Sequence, residues 1–220
     1  MSDTTLIDNE NAASDTLVMN LTPDALDCGR TPLADSAVES YGSDREQAGI
    51  WFSELPLLDH LTFRCQASDS QQQAFEQIMG CPLPIAPLTA ACTEGCTIRW
   101  LSPDEWLITI PSGAAFGLET AFRATMPGLF SLVNGSGGMT VFRLGGPKVI
   151  DLLKKCVSVD LHSSVFPENK VVSTNFAKAT CVLHRTAPDA FDLVVRRSYA
   201  DYIWRWIADA GQEFGLRVES

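Results

Sequence analysis

TIRWLSPDEWLITI, residues 97–110, is the stretch on which the fold turns. Two apolar runs flank SPDE (102–105), where Pro103 stands second and Asp104 third, a β-turn order. The runs predict strands over 97–101 and 106–110, joined as a hairpin. Working outward, LTFRCQ (61–66) alternates loosely and predicts another strand. Between them, Ala74, Phe75, Ile78 and Met79 fall at helical spacing within 70–79. Gly80 follows as a C-cap, and Pro82 and Pro84 prevent continuation. Residues 114–126 predict a second helix and 128–133 a strand.

After NGSGG (134–138) a similar order returns. Strands are predicted over 139–144, 170–176, 180–185 and 190–196. A short helix over 147–156 begins on Pro147, and a last helix closes the series. The chain thus makes two passes of strand–helix–strand–strand–helix, without strong identity between them. The order predicts an α+β fold of two ferredoxin-like halves, each with helices on one face of a mostly antiparallel sheet. The expected division is an acidic arm over 1–49, a first half over 50–137 and a second over 138–220.

The formal net charge of −11 argues against a nucleic-acid partner. Most of it lies in the arm, where residues 1–49 carry ten Asp/Glu and two Lys/Arg. The arm has few apolar positions, such as Leu17, Met19 and Leu26, and predicts an extended segment. No run approaches the roughly 18–20 apolar residues that span a bilayer. The opening MSDTTLIDNE lacks a basic region and an apolar core, so no export signal is expected. Seven cysteines without a compact framework then predict reduced thiols and a cytoplasmic protein.

RRSYADYIWRWIADAG (196–211) holds two tryptophans and two tyrosines. Ser198 is the expected N-cap, with Asp201 three residues on, and Gly211 the expected left-handed C-cap. At helical spacing Tyr199, Tyr202, Ile203, Trp206, Ile207 and Ala210 share one broad face, the expected core contact. Trp204 falls on the flank with Ala200 and Ala208. Leaving an indole in water forgoes about 1.5–3 kcal/mol. Trp204, Ala200 and Ala208 are therefore candidate interface residues, covered by another chain or by the arm. Arg196 and Arg197 join them as cations at a strand end, suited to an anionic group or to surface acids.

The search for chemistry yields little. His60 and His162 fit turn or surface roles, and His184 a packed or rim position in a strand. Cys92 and Cys96, in CTEGC, lack the second ligand pair of a zinc site. Cys156 and Cys181 read as small hydrophobes. NGSGG and LGGP (144–147) match neither phosphate-loop pattern, and a tight turn into Pro147 accounts for the second. No catalytic, cofactor-binding or metal-binding residue is expected in this chain.

Three stretches, WLSPDEWLI (100–108), CVSVDLHSSVFPENKVVST (156–174) and VVRRSYADYIWRWI (194–207), together resemble the gamma subunit of heterotetrameric sarcosine oxidase. Residues 63–84 and 140–153 extend the likeness more weakly. The resemblance implies an assembly of alpha, beta, gamma and delta chains that demethylates sarcosine to glycine. Oxygen is reduced to hydrogen peroxide, and the methyl carbon leaves as formaldehyde or passes to tetrahydrofolate. It implies FAD, FMN, NAD and folate sites in alpha and beta, and zinc in delta. It also implies a fold similar to the folate-binding domain of aminomethyltransferases, and a gamma chain without the flavin chemistry. The long acidic start, Ser163–Ser164 and Glu168–Asn169 depart from the family pattern and leave the substrate open. The alternatives are a stand-alone folate-binding aminomethyltransferase-like enzyme and the equivalent subunit of an N-methylglutamate dehydrogenase complex.

Overall fold

The structure is a computed structural model that describes residues 29–36, 38 and 48–219. The first half forms a wholly antiparallel sheet from β2 (Leu58–Cys65), β3 (Ala90–Thr93), β4 (Cys96–Ser102), β5 (Glu105–Pro111) and β6 (Phe130–Asn134). Their spatial order is β3-β4-β5-β2-β6. The 97–110 hairpin is present as β4 and β5, with Trp100 opposite Trp106. Helices α1 (Asp69–Met79) and α2 (Ala115–Thr125) cover one face. There Phe63 meets Phe75 and Phe122 at ring distances of 5.3 and 5.2 Å. Gly80 closes α1 at φ 71°, the left-handed cap its position predicts.

The second sheet is built from β7 (Met139–Gly145), β8 (Val171–Phe176), β9 (Ala179–Ala187) and β10 (Ala190–Arg196), under helices α3 (Val149–Cys156) and α4 (Ala200–Gly211). Two further strands complete it, β1 (Ile50–Glu54) and β11 (Leu216–Val218), giving the order β11-β1-β7-β10-β9-β8. This corrects the division at residue 50, because β1 opens the predicted first half yet pairs antiparallel with β7 and parallel with β11. The reason lies in IWFSE itself. Ile50 and Phe52 alternate onto the core face and are fully buried there. The LGGP turn accommodates this insertion. A Cβ on Gly145 would lie 2.1 Å from the Trp51 ring, and Gly146 sits at φ 111° with the Gly49 carbonyl oxygen 2.5 Å from where its Cβ would stand.

Each sheet keeps one face free of helices, and these faces meet. Leu107, Val141 and Val194 form the small apolar cluster between them, flanked by Leu58, Leu101 and Val182. The molecule is therefore layered helix, sheet, sheet, helix. Burial on both faces explains the largely apolar runs WLITI and FDLVV, each interrupted by one polar residue, Thr109 and Asp192. Backbone bonds stitch one edge: Ala90 N–H donates to Asn169 O at 2.9 Å, and Val171 N–H to Leu88 O at 2.8 Å.

Of the acidic arm, residues 29–36 pack on the second half. Leu33 is buried in its core, and its N–H donates to Glu54 at 3.1 Å. The rest of the predicted arm lies mostly outside the described residues. No helix among the described residues is long and apolar enough to cross a membrane.

Candidate functional site

Helix α4 buries Ala200, Ile203, Trp204, Ile207, Ala208 and Gly211. The assignment of Trp204, Ala200 and Ala208 to an interface is thereby corrected: Trp204 is 2% exposed within its own chain. Its ring stands 4.7 Å from that of Phe52 on β1. Alanine and glycine at 200, 208 and 211 let the helix backbone lie close to the sheet, and Gly211 approaches Leu152. The buried arc is thus rotated by about a quarter turn from the predicted one. The caps differ too. Arg197–Tyr199 forms a 3₁₀ turn, Tyr199 rather than Ser198 is the N-cap, and Gly211 remains helical at φ −86°.

What this rotation leaves outside is aromatic. Tyr199 is 42% exposed and Trp206 40%, and the ring of half-buried Tyr202 lies tilted against Trp206 at 6.0 Å. Arg196 and Arg197 are exposed at the head of this face. Neither has an ion-pair partner among the described residues. Arg205 is held by Asp201 at 2.9 Å. An exposed pair of large aromatic rings beside free guanidinium groups has the composition of an interface centre.

A second cluster lies between the sheets, and the sequence reading missed it. Arg99 on β4 and Asp192 on β10 are both almost fully buried. Arg99 donates through Nη2 to Asp192 Oδ2 at 3.1 Å and through Nη1 to Thr109 Oγ1 at 2.9 Å. Arg143 on β7 grips the same carboxylate with two bonds, at 2.7 and 3.0 Å. Strand register places Arg143, Asp192 and His184 on one rung of the second sheet, and Thr97, Thr109 and His60 on one rung of the first. Both histidines are buried without hydrogen-bond partners for their rings. Burial, then the Arg99 charge, pushes each down to about 4, so both are neutral at pH 7. His60 is therefore not the turn or surface residue its sequence context predicted. The available signal was a charge of each sign at mid-strand, in TIRWL and AFDLVVR. A buried charge requires a partner, so the two predict one another.

The remaining candidates separate. Cys92 is exposed, Cys96 half-buried and Cys81 buried. Burial pushes Cys96, Cys156 and Cys181 up to about 12, far from thiolate reactivity. Among the described residues, no three His, Cys, Asp or Glu side chains group in a way that suits a metal ion. The SPDE turn is pinned by Arg64, which donates to Asp104 at 2.8 Å.

The profile of the sarcosine oxidase, gamma subunit family matches residues 64–213. The sarcosine oxidase subunit gamma of Corynebacterium sp. (strain P-1) is 27% identical over 187 residues, covering 84% of this chain and 91% of the relative. A chain of the heterotetrameric sarcosine oxidase from Corynebacterium sp. U-96 superposes with a TM-score of 0.75 at 25% identity, over 84% of this chain and 96% of that one. The glycine cleavage system aminomethyltransferase T from Bartonella henselae gives 0.57 at 8% identity, over 78% of this chain and 48% of that one, a likeness of fold alone. With the profile spanning well over half of its residues, the chain belongs to the sarcosine oxidase gamma subunit family.

Proposed function

We propose that this chain is the gamma subunit of a heterotetrameric sarcosine oxidase, assembled with alpha, beta and delta chains that carry the oxidative demethylation. In this reading FAD, FMN, NAD, tetrahydrofolate and zinc belong to the partners, and the chain contributes structure and interface. The observation that carries it is the match over nearly the whole of one chain of a solved heterotetramer. The exposed Tyr199–Trp206 face with Arg196 and Arg197 is the surface we assign to a partner. Two ferredoxin-like halves are consistent with the β2-α1-β4-β5-α2-β6 path of the first sheet. The six free cysteines among the described residues suit a reducing, cytoplasmic setting.

Co-expression with the alpha, beta and delta chains of a heterotetrameric sarcosine oxidase tests the proposal. The expected result is co-elution in one stoichiometric complex that oxidises sarcosine. A chain that stays monomeric and indifferent to those partners would end it. Oxidation of N-methylglutamate in place of sarcosine would keep the subunit role and change the substrate. The likeness to an aminomethyltransferase favours one other reading, a folate-binding enzyme acting alone. Calorimetry of the isolated chain with tetrahydrofolate separates the two, since tight binding belongs only to the second.

A further inference from the structure

Between the two sheets lies a cavity of about 440 Å³, and its wall is the polar cluster described above. Its mouth is the exposed turn around Cys92–Gly95 with Asn169 opposite; its floor is Arg99, Asp192 and His184. The size falls within the range of small-molecule sites.

The floor is not self-contained in charge. Arg99 and Arg143 bring two positive charges, and Asp192 returns one. His184 is neutral at pH 7, and Cys96 stays a thiol. One positive charge is therefore in excess around the cavity. Arg143 is 41% exposed and shares its charge with solvent, but Arg99 is 1% exposed.

The donors are unbalanced as well. A guanidinium has five N–H groups. Arg185, the other buried arginine, directs its nitrogens at the carbonyl oxygens of Leu161, Phe166, Ala187 and Pro188. Arg99 has two protein acceptors, Thr109 and Asp192, and its buried Nε has none. Both ring nitrogens of His184 are likewise without partners. Leaving such groups unmatched is costly and marks the cluster as electrostatically unbalanced; they are closed off from the cavity, so an anion would balance the charge at the half-exposed Arg143.

We propose that this cavity is a binding site for a small organic monoanion whose carboxylate answers the excess charge of the Arg99–Arg143–Asp192 cluster and meets it at the half-exposed Arg143. A single negative charge fits because the excess is a single positive one. The site belongs to this chain alone, so it does not depend on the assignment to a complex.

Thermal melts of the full chain test it, with sodium acetate and sodium benzoate as probes. Sodium chloride at matched ionic strength, acetamide and benzamide are the controls. At about ten times its Kd a carboxylate should raise Tm by about 3–6 °C, saturably, while the controls do not. Arg99→Met should abolish the response. Because that variant also removes the Arg99–Asp192 ion pair, Thr186→Trp provides an independent arm. It narrows the cavity wall without touching a charge, and should melt near the wild type with no response to either carboxylate. Equal shifts from carboxylates and chloride, or a response that survives Thr186→Trp, would overturn the proposal.

Discussion

Asp192 is a single carboxylate holding two guanidinium groups, and the three side chains do not carry equal weight. Asp192→Asn leaves Arg99 buried without a counter-charge, and should destabilise the chain by about 3–5 kcal/mol in urea melts. Arg99→Met leaves Asp192 gripped twice by Arg143, so its loss should be clearly smaller. Equal losses would show that the carboxylate is not the hub. The two buried histidines make a second prediction. Their folded pKa values, about 4, lie below the usual 6.5. The unfolded chain therefore binds more protons between those values, and stability is full above about pH 6.5. It falls as pH drops toward 4, by something on the order of 3 kcal/mol per imidazole. Unfolding free energies from pH 7.5 to 4 should show this, and His184→Phe should flatten the slope. Neither the pair nor the histidines was visible as a cluster in the sequence, because partners 93 residues apart meet only once the sheets stack. The individual mid-strand charges were legible, as was the inert placement of Cys156 and Cys181.

At the scale of elements, most strands and helices follow from period and turn chemistry, and the exceptions share one cause. IWFSE and LRV pair with each other across the length of the chain, and neither has a hairpin neighbour whose turn would mark it. Missing β1 removes Phe52 from beside Trp204, and the indole then looks unsheltered. Periodicity gives the width of an apolar arc but not which flank packs. Large aromatics drew the predicted centre toward Tyr199 and Trp206, whereas close approach to a sheet favours the Ala200–Ala208–Gly211 side. The consequence is a paired prediction. Trp204→Ala should destabilise the monomer by about 3–5 kcal/mol, the range for an emptied aromatic core site. Phe52→Ala should act non-additively with it, since the rings touch. Trp206→Ala and Tyr199→Ala should leave the monomer melt within about 1 kcal/mol, yet weaken assembly with the partner chains by about 2 kcal/mol or more if this face is the hot spot. Monomer melts beside gel filtration of the assembled complex check both halves of the pair. Assembly untouched by either exposed substitution would move the interface elsewhere.

For the whole molecule, β1 makes the two halves interdependent in a way that their successive order in the chain does not suggest. The second half over 138–219 lacks the strand that closes β7, and lacks Phe52 over Trp204. Alone, it would present an unpaired edge and an opened core, a combination that favours aggregation. Expressed by itself it should be insoluble, or lack the near-ultraviolet signal of fixed aromatic packing. The register offers a rescue that isolates the cause. Glu54 lies opposite Phe142, and Leu55 N–H donates to Val141 O at 2.9 Å, so β1 and the start of β7 run side by side. A short glycine-rich turn joining residue 56 to residue 138 would then replace the entire first half. The chain 48–56–turn–138–219 should fold with a packed Trp204, at reduced stability because its inter-sheet face has lost Leu107 and Arg99. Near-ultraviolet circular dichroism and urea melts of the two chains decide the matter. If 138–219 folds equally well without β1, the strand is an accessory; if neither folds, contact between the sheets, rather than the strand exchange, holds the second half together.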